Sequence, residues 1–403
     1  MRPLGDSELE AFFDQLALIF SGNPINPDAL PHNRAQTELD RTLGAFDGER
    51  LIGTAGAFTF QMTVPGGVEV PAAGVTRVSV APTHRRRGVL RDMMRRQLDD
   101  IHARGEPLAG LYASQAPIYG RFGYSVGAWH SNLVIPRGRS AFRTPARDGR
   151  VRVVDGDTAL VEIPALHDEV RSQQPGAVSR SRAYWEMRIA DLPDFRRGRS
   201  QNWYVLHDGD DRPDGFAIYR VTAKWVGEDP GGTLFLSDLM AMTPAATAAL
   251  WRFCLDVDLM VRVEAFDRPS DDPVRHLLAD TRAARETVYD GLWLRLVDVG
   301  AALAGRRYAR DGSLAIEIRD EFCPWNAGRW ELASESAGAE CRRTERSPDL
   351  ALDIADLGAA YLGGNRFTTL AAAGRVEAAS PAALQRADAM FAAGPAPWCP
   401  THF

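Results

Sequence analysis

Between Val78 and Arg91 the chain reads Val-Ser-Val-Ala-Pro-Thr-His-Arg-Arg-Arg-Gly-Val-Leu-Arg. The segment Gly74 to Val80 is rich in β-branched residues and predicts a strand. Gly88 to Arg104 predicts a helix, with Leu90, Met94, Leu98 and Ile101 on one face. The turn between them therefore opens a helix. Its amides sit at a helix N-terminus, where unpaired N–H groups and the positive end of the dipole favour an anion. Gly88 lets the backbone approach a ligand without a Cβ in the way. Three arginines alone would read as a solvated face. At a strand–helix junction closed by glycine they read as a pyrophosphate site. No Gly-Lys-Ser/Thr follows, and three spaced glycines are missing, so neither the Walker A nor the dinucleotide fingerprint is present. The expected guest is a pyrophosphate carrier other than ATP or NAD.

The rest of the chain sets this unit in an α/β, α+β layered fold. A first helix runs from Ser7 to Phe20. Strand-like sequence follows at Thr42 to Phe46 and Leu51 to Val64, ending at Pro65-Gly66-Gly67. Leu108 to Ala113 and Tyr124 to Ile135 read as further strands, with a short helix from Gln115 stopped by Gly123. The stretch Pro136 to Arg150 reads as a linker. Beyond it, Phe235 to Leu255 parallels Val75 to Met94 as strand, turn and amphipathic helix, which suggests a degenerate internal duplication. The matching turn, Thr243 to Leu250, has neither arginine nor glycine. One phosphate site is therefore expected, in the first part of the chain.

Composition narrows the function. The 403 residues suggest two or three domains at ~150 residues each. An apolar content of 45% and a charged content of 25% are those of a globular protein. No stretch approaches the ~20 apolar residues of a membrane span. The N-terminus carries acids where a secretory signal would be apolar, so the cytoplasm is the expected compartment and no membrane partner is expected. A net charge of -6 supplies no overall basic field for nucleic acid. Cys254, Cys323, Cys341 and Cys399 share no CxxC spacing, and no metal site is expected.

The pattern strand, Ala-Pro-x-x-Arg-x-x-Gly, helix resembles the acyl-CoA site of the GNAT acyltransferase superfamily. Pro117 to Tyr124 (PIYGRFGY) resembles that superfamily's tyrosine-bearing helix and following strand. Val80 to Arg91, the IYGRFGY run, Gly291 to Arg295, Tyr361 to Gly364 and a terminal Phe together resemble the Eis (enhanced intracellular survival) acetyltransferases over nearly the whole chain. One departure is Leu90, where the superfamily often has Gly or Ala. The resemblance implies two tandem GNAT-like domains, 1–138 and 139–298, then a sterol-carrier-like domain, 299–403, in a homohexamer. It implies acetyl-CoA contacts at Val78, Ser79 and Val80 on a splayed strand. It implies others at Arg86, Arg87, Gly88, Val89, Leu90 and Arg91 on the turn, and at Ser114 and Gln115 after the next strand. Pantetheine amides can pair with exposed strand backbone.

Acetyl transfer to an amine needs a neutral amine, a stabilised oxyanion and a protonated leaving thiolate. Tyr119 is the expected general acid by that resemblance; on its own residues it reads more readily as a packing aromatic. The α-carboxylate of Phe403 is the expected base, because the resemblance implies that use, with His402 as an alternative. The implied substrate is a small-molecule primary amine, an aminoglycoside or polyamine. The family's acids on the early loop and before the terminal Phe are replaced here by Ser21-Gly22-Asn23 and His402, which leaves Asp28 and Glu38 as the nearest acids. The alternative function is a non-catalytic acyl-CoA or lipid-binding protein.

Overall fold

The computed structural model describes residues 1–20, 22, 25–145 and 150–403. Ser21 and Asn23 of the early loop, and 146–149 of the expected linker, lie outside the described residues. The chain forms two compact units. One holds Met1–Ala128, Gln174–Ser179 and Asp290–Phe403; the other holds Trp129–Gln173 and Arg180–Tyr289.

The first unit is built on a seven-stranded sheet. Its order is β1 (Arg2–Pro3), β2 (Leu43–Asp47), β3 (Arg50–Val64), β4 (Val68–Val80), β5 (Leu108–Leu111), the strand Trp293–Leu296, and β6 (Ser125–Val126). Helix α1 (Leu9–Ile19) buries Leu9, Phe12 and Phe13, and a shorter helix, α2 (Leu30–Gln36), precedes β2. β3 and β4 form a long antiparallel hairpin. β4 and β5 are parallel, so the chain must cross over between them. Helix α3 (Val89–Ala103) makes that crossing and buries Met93, Met94, Leu98 and Ile101.

β4 leaves its neighbour partway along. Its pairing with β5 covers only Ala72↔Leu108, Ala73↔Ala109 and Gly74↔Gly110. Past Gly74 the two strands diverge, and β4 runs on to Val80 paired with β3 alone. A bulge lies in that free stretch. Thr54 faces Ser79 and Gly56 faces Thr76, so Arg77 and Val78 together oppose Ala55. Arg77 takes a left-handed φ of 55°, and the Thr54 hydroxyl donates to its carbonyl at 2.8 Å. A bulge bends a strand and raises its twist, which turns β4 away from β5.

The expected single strand Tyr124 to Ile135 is two strands. β6 stays in the first sheet, whereas β7 (Trp129–Pro136) belongs to the sheet of the second unit. The cause is distant in sequence. Trp293–Leu296 pairs antiparallel with β5 and β6, burying Leu294 and Leu296. The N–H groups of Gly127 and Ala128 both donate to the Leu292 carbonyl, at 2.9 and 3.1 Å.

A five-stranded sheet completes the first unit, ordered Gly338–Arg343, Gly328–Glu335, Gly312–Arg319, Leu350–Asp353, Val376–Ala378. It shares one apolar core with the first sheet: Met62, Leu108, Leu294 and Leu296 pack in the same cluster as Leu314, Ile316, Leu350 and Phe367. Arg295 ties the two sheets by a fully buried ion pair to Asp320 at 2.6 Å. Such a pair adds little net stability, but it fixes geometry because neither charge can be left alone.

The second unit is a seven-stranded sheet, ordered Arg285–Asp290, β7, Met260–Pro269, Gly232–Ala241, Pro213–Thr222, Trp203–Asp208, Arg150–Val154. Gly232–Ala241 and Met260–Pro269 are parallel, and helix Pro244–Asp256 crosses between them over a core of Leu234, Leu236, Leu250 and Trp251. Each of the two seven-stranded sheets thus carries a parallel pair spanned by one helix. The described residues form two α/β layers, each with one crossover helix, and a five-stranded C-terminal sheet.

Candidate active site

Helix α3 starts at Gly88, whose φ of 90° is open to glycine at low cost. No side chain caps it. The first amides of α3 are therefore free to meet a ligand. Arg86, two residues earlier, is also left-handed at φ 64°. The helix in the second unit begins differently. There the Thr243 hydroxyl accepts from Ala246 N–H at 3.1 Å and donates to the Asp214 carboxylate at 2.8 Å. A capped end beside an acid offers an anion nothing.

A cleft of about 820 Å³ opens at the Gly88 turn. The diverging end of β4 supplies Val78, Ser79 and Val80. The turn and the start of α3 supply Arg86, Gly88, Val89, Leu90 and Arg91. Ser114, Gln115 and Tyr119 come from beyond β5. All of the expected contact residues except Arg87 thus line one space. Arg87 is exposed and is not among the lining residues.

Tyr119 ends the one-turn helix α4 (Ala116–Tyr119) and is 7% exposed. A 3₁₀ turn, Gly120–Phe122, follows, stopped by Gly123 at φ 81°. A Cβ on Gly123 would lie 1.6 Å from Arg295 Nη1, so only glycine fits beside this guanidinium. Arg295 in turn donates to the Phe122 carbonyl. The Tyr119 segment is thereby held by the buried Arg295–Asp320 pair. Burial pushes the Tyr119 phenol above its ordinary range, with a Ser114 hydrogen bond acting the other way. The phenol holds its proton at neutral pH and can donate it.

The chain terminus lies near the apex of the β4–β5 fork. Trp398 N–H donates to Pro175 O at 2.8 Å, Gln174 Nε2 to Ala396 O at 2.7 Å, and the Tyr112 hydroxyl to Cys399 O at 2.9 Å. Terminal residues held in this way escape the fraying usual for chain ends. The Phe403 ring packs on Phe60 at 4.9 Å and on Tyr112 at 5.3 Å between centroids. A Cβ on Gly74, the last β4 residue paired with β5, would lie 3.1 Å from the Phe403 ring. His402 stacks on Tyr112 at 4.2 Å. Phe403 is not among the residues lining the cleft at the Gly88 turn.

Of the two nearest acids, Glu38 is fixed: its carboxylate accepts the Thr59 N–H at 2.7 Å and the Thr59 hydroxyl at 2.5 Å. Asp28 is exposed. Arg77 lies against the rings of Phe13 and Phe58, at 5.1 and 5.2 Å, and donates to the Thr37 hydroxyl at 2.6 Å. Burial lowers its pKa to about 10.

Comparison with known proteins agrees with this architecture. Residues 1–127 and 176–296 each match an acetyltransferase (GNAT) domain model, and residues 299–400 match a sterol carrier protein domain model. An N-acetyltransferase of Streptomyces avermitilis is 43% identical over 405 residues, covering 100% of this chain and 99% of the relative. The N-acetyltransferase Eis of Mycobacterium tuberculosis is 37% identical over 358 residues, covering 87% and 85%. Among solved structures, Eis1 of Mycobacterium abscessus superposes with a TM-score of 0.88 at 37% identity, covering 100% and 99%.

Several lining residues were not singled out from the sequence. Arg85 belongs to the same arginine run, and Arg121 to the IYGRFGY segment, so both carried a signal. Ile19 and Phe20 end α1, and Glu321 and Phe322 come from the C-terminal part. Nothing near those four in sequence marks them.

Proposed function

This chain belongs to the Eis family of N-acetyltransferases, and from that premise we propose that it transfers acetyl groups from acetyl-CoA to primary amines of a small cationic substrate of the aminoglycoside or polyamine class. The observation that carries the reading is the fork itself. β4 leaves β5 at Gly74, beside Phe403, and ends at an uncapped, arginine-bordered helix mouth. The residues fit the cofactor: free strand edge at Val78 to Val80 for pantetheine amides, free amides at the Gly88 turn and the guanidinium groups of Arg86 and Arg91 for the diphosphate. Acetyl-CoA supplies the acyl group as an activated thioester.

The protein's own groups do the rest. Ser114 and Gln115 flank the thioester end. The Phe403 carboxylate takes a proton from the incoming ammonium, leaving a neutral amine to attack. The Tyr119 phenol gives its proton to the departing sulfur. Glu38, anchored on Thr59, and the terminal carboxylate supply the negative charge a cationic amine needs. The capped, acid-bordered helix of the second unit supports one cofactor site per chain. The Streptomyces and Mycobacterium relatives are N-acetyltransferases, which favours turnover over the carrier alternative. The family resemblance further supports a cytoplasmic homohexamer; no described helix is long and apolar enough to cross a membrane.

Calorimetric titration of acetyl-CoA tests the cleft. Arg86→Gln and Arg91→Gln are each expected to raise Kd roughly tenfold, the loss of one charge-assisted hydrogen bond. Arg87→Gln, outside the cleft, is expected to change it less than twofold. Equal effects at all three positions would mean that general surface charge, not the helix mouth, attracts the ligand.

A further inference from the structure

One wall of the cleft has no part in the chemistry of acetyl transfer. Glu321 and Phe322 reach it from the C-terminal part of the chain, after the strand Gly312–Arg319. The loop that carries them is held firmly. Asp320 pairs with buried Arg295 and accepts from Cys323 N–H at 2.8 Å and Asn326 Nδ2 at 3.1 Å. The Trp325 indole donates to Val297 O at 2.8 Å, and its ring stacks on His102 of α3 at 4.6 Å. Phe322, 8% exposed, packs between the 3₁₀ turn after Tyr119 and helix α3. Its ring meets Phe122 edge-on at 5.0 Å, and the Arg95 guanidinium sits 3.9 Å over it.

Glu321 is exposed, and no described residue bonds or pairs with it. An acid on a cleft bordered by Arg86, Arg91 and Arg121 is out of place if the ligand there is a phosphate. It suits a stretch of ligand that donates hydrogen bonds. The strand edge at Val78 to Val80, the Gly88 turn and the Ser114–Tyr119 segment already account for pantetheine, diphosphate and thioester. What remains of the ligand is its 3′-phosphorylated adenosine; of the lining still unassigned, Arg85 and Arg121 suit the 3′-phosphate, and this wall, which carries the one carboxylate of the lining, suits the base.

We propose that the Asp320–Asn326 loop of the C-terminal part forms the adenine subsite of the cofactor cleft, with Glu321 accepting from the exocyclic amine and Phe322 providing the apolar surface beside the base. The inference rests on the acetyl-CoA reading. It gives the C-terminal part a direct role in cofactor binding and favours adenine, an amine donor, over a base with a carbonyl at that position.

The test compares two thioesters by calorimetry. Glu321→Ala is expected to raise the Kd of acetyl-CoA roughly tenfold. It is expected to leave within twofold the Kd of S-acetyl-4′-phosphopantetheine, which lacks the adenosine, its 3′-phosphate and one phosphate of the diphosphate. Acetyl-CoA carrying hypoxanthine in place of adenine should bind the wild-type protein as weakly as acetyl-CoA binds the variant. An unchanged Kd for acetyl-CoA, or an equal rise for both thioesters, overturns the subsite. A wild-type protein with no affinity for either thioester overturns the acetyltransferase reading as well, a result distinct from the other two.

Discussion

Tyr119→Phe is expected to lower kcat by about 10²- to 10⁴-fold, the usual worth of a positioned general acid, with the Kd of acetyl-CoA unchanged. The substitution removes one hydroxyl and keeps the ring that packs against Tyr124 at 6.3 Å. Folding is therefore spared, and the loss reports chemistry. Steady-state release of free thiol with an amine panel measures it. The pH profile adds an independent check. Burial raises the phenol above its ordinary range, so the active protonated form persists through neutral pH. Wild-type turnover should show no decline from Tyr119 ionisation below about pH 10. A variant within threefold of wild type would reduce Tyr119 to a packing residue.

Deleting Phe403 is expected to cut kcat/KM by at least about 10²-fold. The deletion moves the terminal carboxylate onto His402 and takes the ring away from Gly74, Phe60 and Tyr112. A chain extended by one glycine separates these effects. It keeps the ring and displaces only the carboxylate. If the carboxylate is the base, both forms lose activity while retaining acetyl-CoA affinity. If the extended chain is fully active, the terminal residue acts by packing and the proton goes elsewhere. Either form should fold, because the hydrogen bonds that hold the tail lie upstream, at Ala396, Trp398 and Cys399.

The parts of this fold legible in the sequence are those fixed by local chemistry. A β-branched run ends at Val80 and Gly88 opens an amphipathic helix, and the strand–turn–helix unit they predict is present. Gly123 stops the Tyr119 turn with a positive φ. The second strand–turn–helix was legible by its likeness to the first, and so was its lack of glycine and arginine; the Thr243 cap at its start is a feature the structure adds. What stayed hidden depends on partners far along the chain. Ser125–Val126 and Trp129–Pro136 look continuous because each alternates suitably; only the arrival of Trp293–Leu296 assigns them to different sheets. Arg77 gives no sign of a bulge, since an arginine at positive φ is uncommon and Thr54 holds it there from another strand. Glu321 and Phe322 join the cleft only because Arg295 and Asp320 pair across 25 positions. Of the site, the charged turn could be read from neighbours in sequence, whereas the far wall required tertiary structure.

The most direct test of the proposed cofactor site is a crystal structure of the protein soaked with CoA. Density for the diphosphate is expected against the turn at Arg86 and Gly88, with the thiol arm running along Val80 to Val78. An empty turn, or CoA bound at the Thr243 helix of the second unit instead, would contradict it.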